Sequence, residues 1–377
     1  MLAAGTDGRG TTIADIMPYA SPWLRHDLTV YSQRYQLPPP RLTMINWDHA
    51  PQATPGNHGA AAWAGEGLAD LEMMHALAPG AALVYLQTPY TGTPGLWYTR
   101  ALSWLVAHDP PDVVSYSSGL PEADPIPRSR AGLQAAARAG VTVVAGTGDT
   151  GATQPEPDDR FLYPFPVALW PASDPLVTAV GGTWLHTGRA GNRAVPDTVF
   201  SNVGGWVGGA GVSGLFARPS WQDRVRDVTG NRRGIADIAM DASNCSPVAV
   251  FEQPVMPGSG WGTAQGTSMS APLLAALVAD AAQLAGHRLG VLGPALYSLH
   301  GAADGIMDIT TGTDTIPGMP GFAAHPGYDL PTGLGTVGDA CRFTAALARA
   351  SHPATPGPGA RPPCMASARD YVRGGRP

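Results

Sequence analysis

The sequence contains no lysine: all 23 basic residues are arginine, and only 14% of its 377 residues are charged. We attribute the missing lysine to genome composition rather than to mechanism. The net charge of −6 is mild and the arginines form no basic cluster, which argues against a nucleic-acid partner. We find no apolar run that would span a bilayer and expect no membrane partner. The N-terminal residues, Met1-Leu-Ala-Ala-Gly-Thr-Asp7, lack the pattern of a signal peptide.

Cysteine is scarce as well. Cys245, Cys341 and Cys364 are odd in number and widely separated, which excludes a metal-site spacing and a disulfide framework but leaves one bridge open. Glycine (48) and proline (38) are abundant, while 44% of the residues are hydrophobic. This composition is typical of a compact, loop-rich globular protein rather than of a disordered chain. The length allows one large α/β domain or two smaller ones.

Strand-like and helical segments alternate along the chain. The predicted strands are Thr11–Met17, Ala82–Leu86, Val113–Tyr116, Val141–Ala145 and Leu176–Val180. The predicted helices are Pro22–Tyr35, Gly65–Leu77, Leu96–His108, Ser129–Ala139 and Ser268–Leu284. This order predicts an α/β protein with a doubly wound, mostly parallel sheet and helices on both faces. We expect one catalytic domain over residues 1–350 and a disordered, Pro/Gly-rich tail over 351–377.

The segment Gly266-Thr-Ser-Met-Ser-Ala-Pro272 precedes a long apolar run. Glycine permits a tight turn, and the run that follows predicts a buried helix with Ser268 at its N-terminus. Free N–H groups and the helix dipole favour negative charge there, which suits an acyl-transfer nucleophile. A serine N-cap is the commoner explanation of Gly-Thr-Ser alone, but the full heptapeptide resembles the nucleophile motif shared by subtilisin-like and sedolisin-like serine peptidases.

Two further segments carry carboxyl groups suited to catalysis. Glu66 and Asp70 are four residues apart, so a helix places them on one face. Adjacent carboxyl groups share protons, and such a pair accepts a proton from a hydroxyl at acidic pH. Asp149 lies in a glycine-rich turn after a predicted strand, where a protonated carboxyl would donate to an oxyanion. A solvated helix face and an ordinary turn aspartate are the alternatives.

Collinear motifs over nearly the whole chain resemble the sedolisin (serine-carboxyl peptidase) family, in particular its kumamolisin-like bacterial branch. They are Glu66-Gly-Leu-Ala-Asp70, Ser115-Tyr-Ser-Ser-Gly119, Gly148-Asp-Thr-Gly151, Trp170-Pro-Ala-Ser-Asp-Pro-Leu-Val-Thr-Ala-Val-Gly-Gly-Thr183, Gly208-Gly-Ala-Gly-Val-Ser213, Pro219-Ser-Trp-Gln222, Gly234-Ile-Ala-Asp-Ile238 and Gly266-Thr-Ser268. The resemblance implies a subtilisin-like fold and an extracellular, acid-active endopeptidase that cleaves peptide or protein substrates. It also implies an N-terminal prosegment, which we do not expect within this sequence.

By that resemblance Ser268 is the nucleophile, Glu66 the general base, Asp70 its partner and Asp149 the oxyanion acid. Substrate backbone would bind at Ser117 and Gly119. One calcium ion is implied near the C-terminal end of the domain. Its ligands would be the carboxylates of Asp308 and Asp329 and the carbonyls of Ile309, His325 and Gly327.

The chain departs from the resembling branch at Met17 and Ser118, where a glutamate and a tryptophan often surround the acid pair. A neutral, subtilisin-like triad of Asp15, His58 and Ser268 is one alternative function. A catalytically inactive, peptide-binding homologue is the other. For the acid-active enzyme, we expect a pH optimum below about 6, since carboxyl groups titrate near ~4 and higher when buried or paired.

Overall fold

The computed structural model describes residues 5–90, 94–123, 130–157, 160–188, 193–202, 205–253 and 260–351. The predicted tail from residue 352 onward and Cys364 lie outside these ranges. Within them, a ten-stranded sheet forms the centre of the protein in the order β15-β16-β12-β8-β6-β4-β1-β3-β2, with β9 beside β8. These strands are β1 (Thr12–Pro18), β2 (Arg41–Asn46), β3 (Ala82–Thr88), β4 (Val113–Tyr116), β6 (Thr142–Gly146), β8 (Thr178–Trp184), β9 (Thr198–Val199), β12 (Ile238–Asp241), β15 (Ile306–Met307) and β16 (Thr336–Val337).

The sheet is parallel from β16 to β2, and only β15 and β9 pair antiparallel to their neighbours. Three short antiparallel pairs lie outside it: β5 (Leu120–Pro121) with β7 (Leu169–Trp170), β10 (Gly211–Ala217) with β11 (Arg232–Ile235), and β13 (Val248–Glu252) with β14 (Gly260–Ala264). The helices are α1 (Leu24–Arg34), α2 (His58–Leu77), α3 (Pro94–His108), α4 (Ala131–Arg138), α5 (Arg226–Thr229), α6 (Thr267–Ala285), α7 (Gly293–Leu296) and α8 (Ala340–Ala350).

Helices cover both faces of the sheet, as the sequence predicted. One apolar core lies between the sheet and α1, α2, α6 and α8, and a second lies between the opposite face and α3 and α4. Side chains alternate along each strand. In β1, Ile13 and Met17 belong to the first core, whereas Ala14 and Ile16 belong to the second. Asp15 therefore lies on the face that α2 and α6 cover.

Predicted and observed elements agree closely for the buried strands, and β4 matches its prediction residue for residue. Helix α2 begins at His58 rather than at Gly65, because the Asn57 side chain accepts a hydrogen bond from the Ala60 N–H and caps an earlier start. In the glycine-dense stretch 205–214, the residues from Gly211 onward belong to β10.

Helix α6 runs through the middle of the first core. By length and composition its 19 residues could cross a bilayer, so our expectation that no such run exists was wrong. Core helices satisfy the same criterion, and 72% of the apolar window in α6 is buried within the protein. Pro272 lies inside this helix. It has no N–H to donate, so the carbonyl of Ser268, four residues earlier, lacks its usual helical donor.

Candidate active site

Helix α2 carries the predicted acid pair into the space between the sheet and α6. Asp70 is fully buried, and Glu66, one turn earlier, has its Oε1 atom excluded from solvent. The hydroxyl oxygen of Ser117, just beyond the end of β4, lies 2.9 Å from Asp70 Oδ1. It also lies 3.0 Å from the carbonyl oxygen of Ser268, the group that Pro272 leaves without a helical donor. The two helices are thus joined through one serine.

The Ser117 contacts constrain where protons lie. A serine hydroxyl has one proton to donate, and the Ser268 carbonyl can only accept. The Ser117 hydroxyl donates toward both oxygens, and a protonated Asp70 would donate to Ser117 and leave the hydroxyl proton to the Ser268 carbonyl. This hydroxyl therefore faces the protein interior, and a substrate would meet Ser117 only through its backbone.

Ser268 is the second residue of α6, at the helix end where backbone N–H groups are free. Gly266 precedes the helix with φ of +100°, a conformation that L-residues with side chains rarely adopt. A Cβ atom at Gly266 would lie 2.6 Å from Asp149 Oδ2, so glycine is also required by space. The sequence Gly-Thr-Ser therefore brings Ser268 and Asp149 to the same helix end.

Asp149 follows β6 and is held in place from two sides. Its Oδ1 atom accepts a hydrogen bond of 2.7 Å from the Thr267 N–H. Its backbone carbonyl accepts one of 3.0 Å from the Val207 N–H, within the glycine-dense stretch. The second carboxyl oxygen, Oδ2, stays on the side of Gly266. Asp149 can thus offer one oxygen to a substrate while the other is fixed by the helix.

Burial dominates the electrostatics of the three predicted catalytic carboxyl groups. It raises the pKa of Glu66 to about 7, where a hydrogen bond from Ser268 acts in the opposite direction and the charge of Asp149 adds to the rise. Burial also raises the pKa of Asp149, against hydrogen bonds from Thr267. The pKa of Asp70 is raised well above its ordinary value by burial and by the charges of Asp15 and Glu66. All three groups thus hold protons more readily than ordinary carboxyl groups.

A cavity of about 140 Å³ opens beside Ser268. Its lining residues are Ser117, Ser118, Gly146, Gly148, Asp149, Leu169, Thr267 and Ser268. Gly119 lies against Leu169, and a Cβ atom there would approach the Leu169 side chain to 2.5 Å. The segment that resembles a substrate-binding strand therefore forms one wall of the cavity. Ser118, one of the two departures, is half-buried at this wall.

The subtilisin-like triad does not form. His58 is exposed at the first residue of α2, two helical turns before Glu66. Asp15 is fully buried, and neither of its carboxyl oxygens has a side-chain hydrogen-bond partner among the described residues. Met17, the other departure, is fully buried in the first core. Asp15 is therefore part of the interior beneath Asp70 rather than the partner of a histidine.

The predicted calcium ligands converge on one loop. Asp308 Oδ2 accepts a hydrogen bond of 2.9 Å from the Gly327 N–H, and Asp329 Oδ2 accepts one of 3.2 Å from the His325 N–H. The φ angle of His325 is not positive, so its backbone is not in the conformation that favours glycine. Ile309, whose carbonyl is the remaining predicted ligand, is fully buried. Among all the residues that the structure describes, no three His, Cys, Asp or Glu side chains form a cluster that could hold a metal ion.

Sequence analysis missed the covering of α2 by the β13–β14 hairpin. The buried carboxylate of Glu72 accepts hydrogen bonds of 3.1 and 3.2 Å from the Phe251 N–H, which fastens the hairpin to the helix. Burial raises the pKa of Glu72 to about 9. The hairpin, with Glu66, lines a second cavity of about 240 Å³. The sequence signal for this buried contact was Glu72, a third acidic residue on an otherwise apolar helix. The sequence pattern alone places such a residue on the solvent-exposed face.

Comparison with known proteins agrees with this geometry. A family model described as "Subtilase family" matches residues 48–290. Kumamolisin of Bacillus sp. (strain MN-32) is 35% identical over 349 residues, which are 88% of this chain and 59% of that protein. Sedolisin of Pseudomonas sp. (strain 101) is 31% identical over 263 residues, 66% of this chain and 42% of that protein. This chain thus spans between two fifths and three fifths of these relatives.

A solved structure of Pseudomonas sedolisin (serine-carboxyl proteinase), complexed with two molecules of pseudo-iodotyrostatin, has the same fold. The match has a TM-score of 0.78 at 24% identity and covers 91% of this chain and 94% of that one. The chain therefore belongs to the subtilase family, and its relatives place it in the sedolisin, kumamolisin-like branch.

Proposed function

We propose that this protein is an acid-active serine-carboxyl endopeptidase that cleaves peptide bonds through an acyl-enzyme on Ser268. The observation that carries the proposal is the convergence of three groups on one helix end. Ser268 lies at the start of α6 beside Asp149, which the adjacent Thr267 N–H holds, and hydrogen bonding to Ser268 lowers the pKa of Glu66. Acyl transfer requires a nucleophile, a base and an oxyanion donor. Ser268 and Asp149 line the cavity of about 140 Å³, and Glu66 lines the cavity of about 240 Å³.

In the acylation step, ionised Glu66 takes the Ser268 hydroxyl proton while Oγ forms a bond to the substrate carbonyl carbon. The carbonyl π electrons move to the oxygen, and protonated Asp149 donates a hydrogen bond to the negative charge. The tetrahedral intermediate collapses when the C–N bond breaks. Glu66 then returns its proton to the leaving amine, so that the charge balance is restored.

In deacylation, water replaces the departed amine. Glu66 takes a proton from that water, whose oxygen attacks the ester carbon of the acyl-enzyme. Asp149 again donates to the developing oxyanion. Collapse releases the carboxylic acid product and returns the proton from Glu66 to Ser268. Asp70 stays protonated beneath Glu66, because burial and the neighbouring acids raise its pKa, and it holds Ser117, which also contacts the Ser268 carbonyl.

The cavity beside Ser268 is proposed to hold the side chain on the acyl side of the cleaved bond. Leu169 provides an apolar wall, while Ser117 and Gly119 offer backbone groups to the substrate chain. We propose residues 1–350 as the catalytic domain, and by family resemblance we propose that it acts outside the cell after release from a prosegment.

Labelling at acidic pH tests this proposal against both alternatives. A serine-directed covalent probe should attach to Ser268 near pH 5, and His58→Ala should cleave a fluorogenic peptide at the wild-type rate. Because His58 is exposed and lies two helical turns before Glu66, its removal leaves the base intact. An inactive homologue would give no labelling and no cleavage. A subtilisin-like enzyme would show an optimum near pH 8 that His58→Ala abolishes, since a histidine base titrates near ~6.5.

We also propose a calcium ion at the loop of Asp308 and Asp329. The donor set fits a hard cation, because two carboxylates and turned backbone carbonyls supply the oxygen ligands that calcium prefers. Asp329 is almost fully buried with no basic side chain paired to it among the ion pairs of the described residues. A divalent cation would neutralise this carboxylate. The ion's role would be to stabilise the loop, and no chemical step passes through it.

Chelation should lower the melting temperature, and added calcium should restore it. A ligand that binds only the folded state contributes about 2.7 kcal/mol at a hundredfold excess over its Kd. Asp308→Asn should remove most of the calcium response. Asp304→Asn, which changes an aspartate of a nearby 3₁₀ turn, is the control and should keep it. Identical melting curves with and without calcium, in protein stripped of metal, would count against the site.

A further inference from the structure

A row of buried polar groups crosses the sheet directly beneath the acid pair. Asp15 in β1 is paired in register with Tyr85 in β3 on one side and with Ser115 in β4 on the other. Neighbours in register on parallel strands present side chains to the same face. Tyr85 belongs to the apolar core beneath α2, so the row faces that helix. Tyr85, Ser115 and Asp15 each have polar oxygen atoms without a partner among the described residues.

The row is in contact with the helix that carries the pair. A Cβ atom at Gly67 would lie 2.3 Å from the Tyr85 hydroxyl oxygen, so this ring packs against α2 at the residue after Glu66. On the other side, β4 continues from Ser115 to Ser117, whose hydroxyl contacts Asp70. Asp15 thus occupies the layer immediately below Asp70. The remaining oxygen of Asp70, Oδ2, is buried and without a partner in the described residues.

Every titratable group around Asp15 is an acid. From α2, β3, β4 and α3 in turn, they are Glu66, Asp70, Tyr85, Tyr116 and Tyr98. No basic side chain contributes to the pKa of Asp15, Glu66 or Asp70 in the described part of the chain. Burial, followed by the charge of Glu66, raises the pKa of Asp15 well above its ordinary value. A fully buried carboxyl group without a cation is stable only as the neutral acid.

We propose that Asp15 is a third, proton-bearing carboxyl of this active site: a positioning residue that acts through Asp70 to stabilise the negative charge on the Glu66/Asp70 pair. This inference rests on the proposed function of Ser268, Glu66 and Asp70. Asp15 touches no substrate. As a neutral acid in an apolar layer, it supplies the hydrogen-bond donor that the described residues do not otherwise offer to Asp70 Oδ2. With Asp70 itself protonated, the negative charge lies on Glu66. A neutral Asp15 adds no second charge beneath Glu66, and its donation polarises Asp70 toward that charge, which lowers the pH at which Glu66 ionises.

The test is the pH dependence of kcat/KM in Asp15→Leu and Asp15→Asn, each combined with Asp149→Asn. The Asp149→Asn background leaves one carboxyl-dependent limb, which reports the ionisation of Glu66. Loss of the donor in Asp15→Leu should move this limb to higher pH by about one unit, and the amide of Asp15→Asn should move it less. Asp280→Asn, which changes a buried carboxyl at the far end of α6, should leave the limb in place.

A limb within about 0.3 pH units of the parent value in both variants overturns the proposal. A shift to lower pH also overturns it, because that direction means that Asp15 was ionised and repelled the pair.

Infrared spectroscopy provides a readout that is independent of activity and applies if Asp15→Leu does not fold. Wild type should show the C=O band of a protonated carboxyl at neutral pH, and Asp15→Asn should lose part of it. An unchanged band overturns the inference. Absence of any Ser268-dependent cleavage in wild type would instead refute the proposed function, while the infrared result still decides whether Asp15 holds a proton.

Discussion

Ser268→Ala is expected to lower kcat/KM for peptide cleavage by at least about 10³-fold while the protein stays folded. The side chain lost is a single hydroxyl at the start of α6, and the Ser268 carbonyl that contacts Ser117 is retained. No other group in the cavity replaces the nucleophile, because Asp149 is held by the Thr267 N–H and Glu66 would act as a base. Steady-state kinetics near pH 5 measures the loss, and a thermal melt checks the fold.

Ser270→Ala is the matched control. Ser270 lies on the same helix two residues later and hydrogen-bonds to backbone carbonyls of Met240 and Asp241 instead of facing the cavity. It should retain most of the activity. Glu66→Ala should be about as damaging as Ser268→Ala, and the double variant no worse than either, since groups that act as a unit are not additive. A Ser268→Ala enzyme with most of its wild-type kcat/KM would refute the nucleophile assignment.

The second large effect concerns pH. In wild type, kcat/KM should follow a bell-shaped pH profile on the acidic side of neutrality, and Asp149→Asn should convert this profile into a single sigmoidal limb. Activity requires one proton in the Glu66–Asp149 pair, located on Asp149. The maximum therefore lies between the two apparent pKa values of the pair. Burial raises the pKa of both groups above the ordinary carboxyl range near ~4, to about 7 for Glu66. Above this range Asp149 cannot donate to the oxyanion, and below it Glu66 cannot accept a proton.

The asparagine amide donates without a proton, so Asp149→Asn removes the alkaline limb. The remaining acid limb reports the ionisation of Glu66 beside a neutral neighbour, as in wild type with protonated Asp149, so this limb should stay close to its wild-type pH. The maximal rate should fall by about 10²-fold, because a neutral amide is a weaker and differently placed donor. Measurements of kcat/KM from pH 2 to 9 in wild type and Asp149→Asn test these expectations. An alkaline limb at the same pH in wild type and Asp149→Asn would show that another group sets it.

Much of the site could be predicted from sequence, because its parts are local. The i, i+4 spacing of Glu66 and Asp70 needs only a helix to put both carboxyl groups on one face. The glycine before Thr267-Ser268 is required by the backbone at that point, where φ is +100°. These placements agree with the structure, whereas the catalytic roles of the four residues stay predictions. The fold class is confirmed, since alternating strands and helices leave few ways to build a buried parallel sheet.

The residues that sequence analysis misplaced depend on long-range contacts. Glu72 suggested a solvated helix face, but the β13–β14 hairpin, 179 residues further along the chain, covers it. Asp15 was considered as the acid of a histidine triad because it lies on the first strand and Asn57-His-Gly59 is similar to a histidine motif. The structure instead buries it between Tyr85 and Ser115, which no local pattern could indicate.

By itself, the sequence determined five strands of the central sheet, five of the helices and their alternation, the family, and the chemical types of the candidate catalytic groups. These follow from hydrophobic periodicity, turn glycines and short motifs, all of which operate within a few residues. Only the tertiary structure decided which carboxyl groups lie in a common low-dielectric space. Which carboxyl groups share this space depends on strand register and on the packing of α2 and α6. Their burial and mutual charge in turn raise the pKa values of Glu66, Asp70 and Asp15. The sequence cannot show this, because burial and neighbouring charge act through space rather than along the chain.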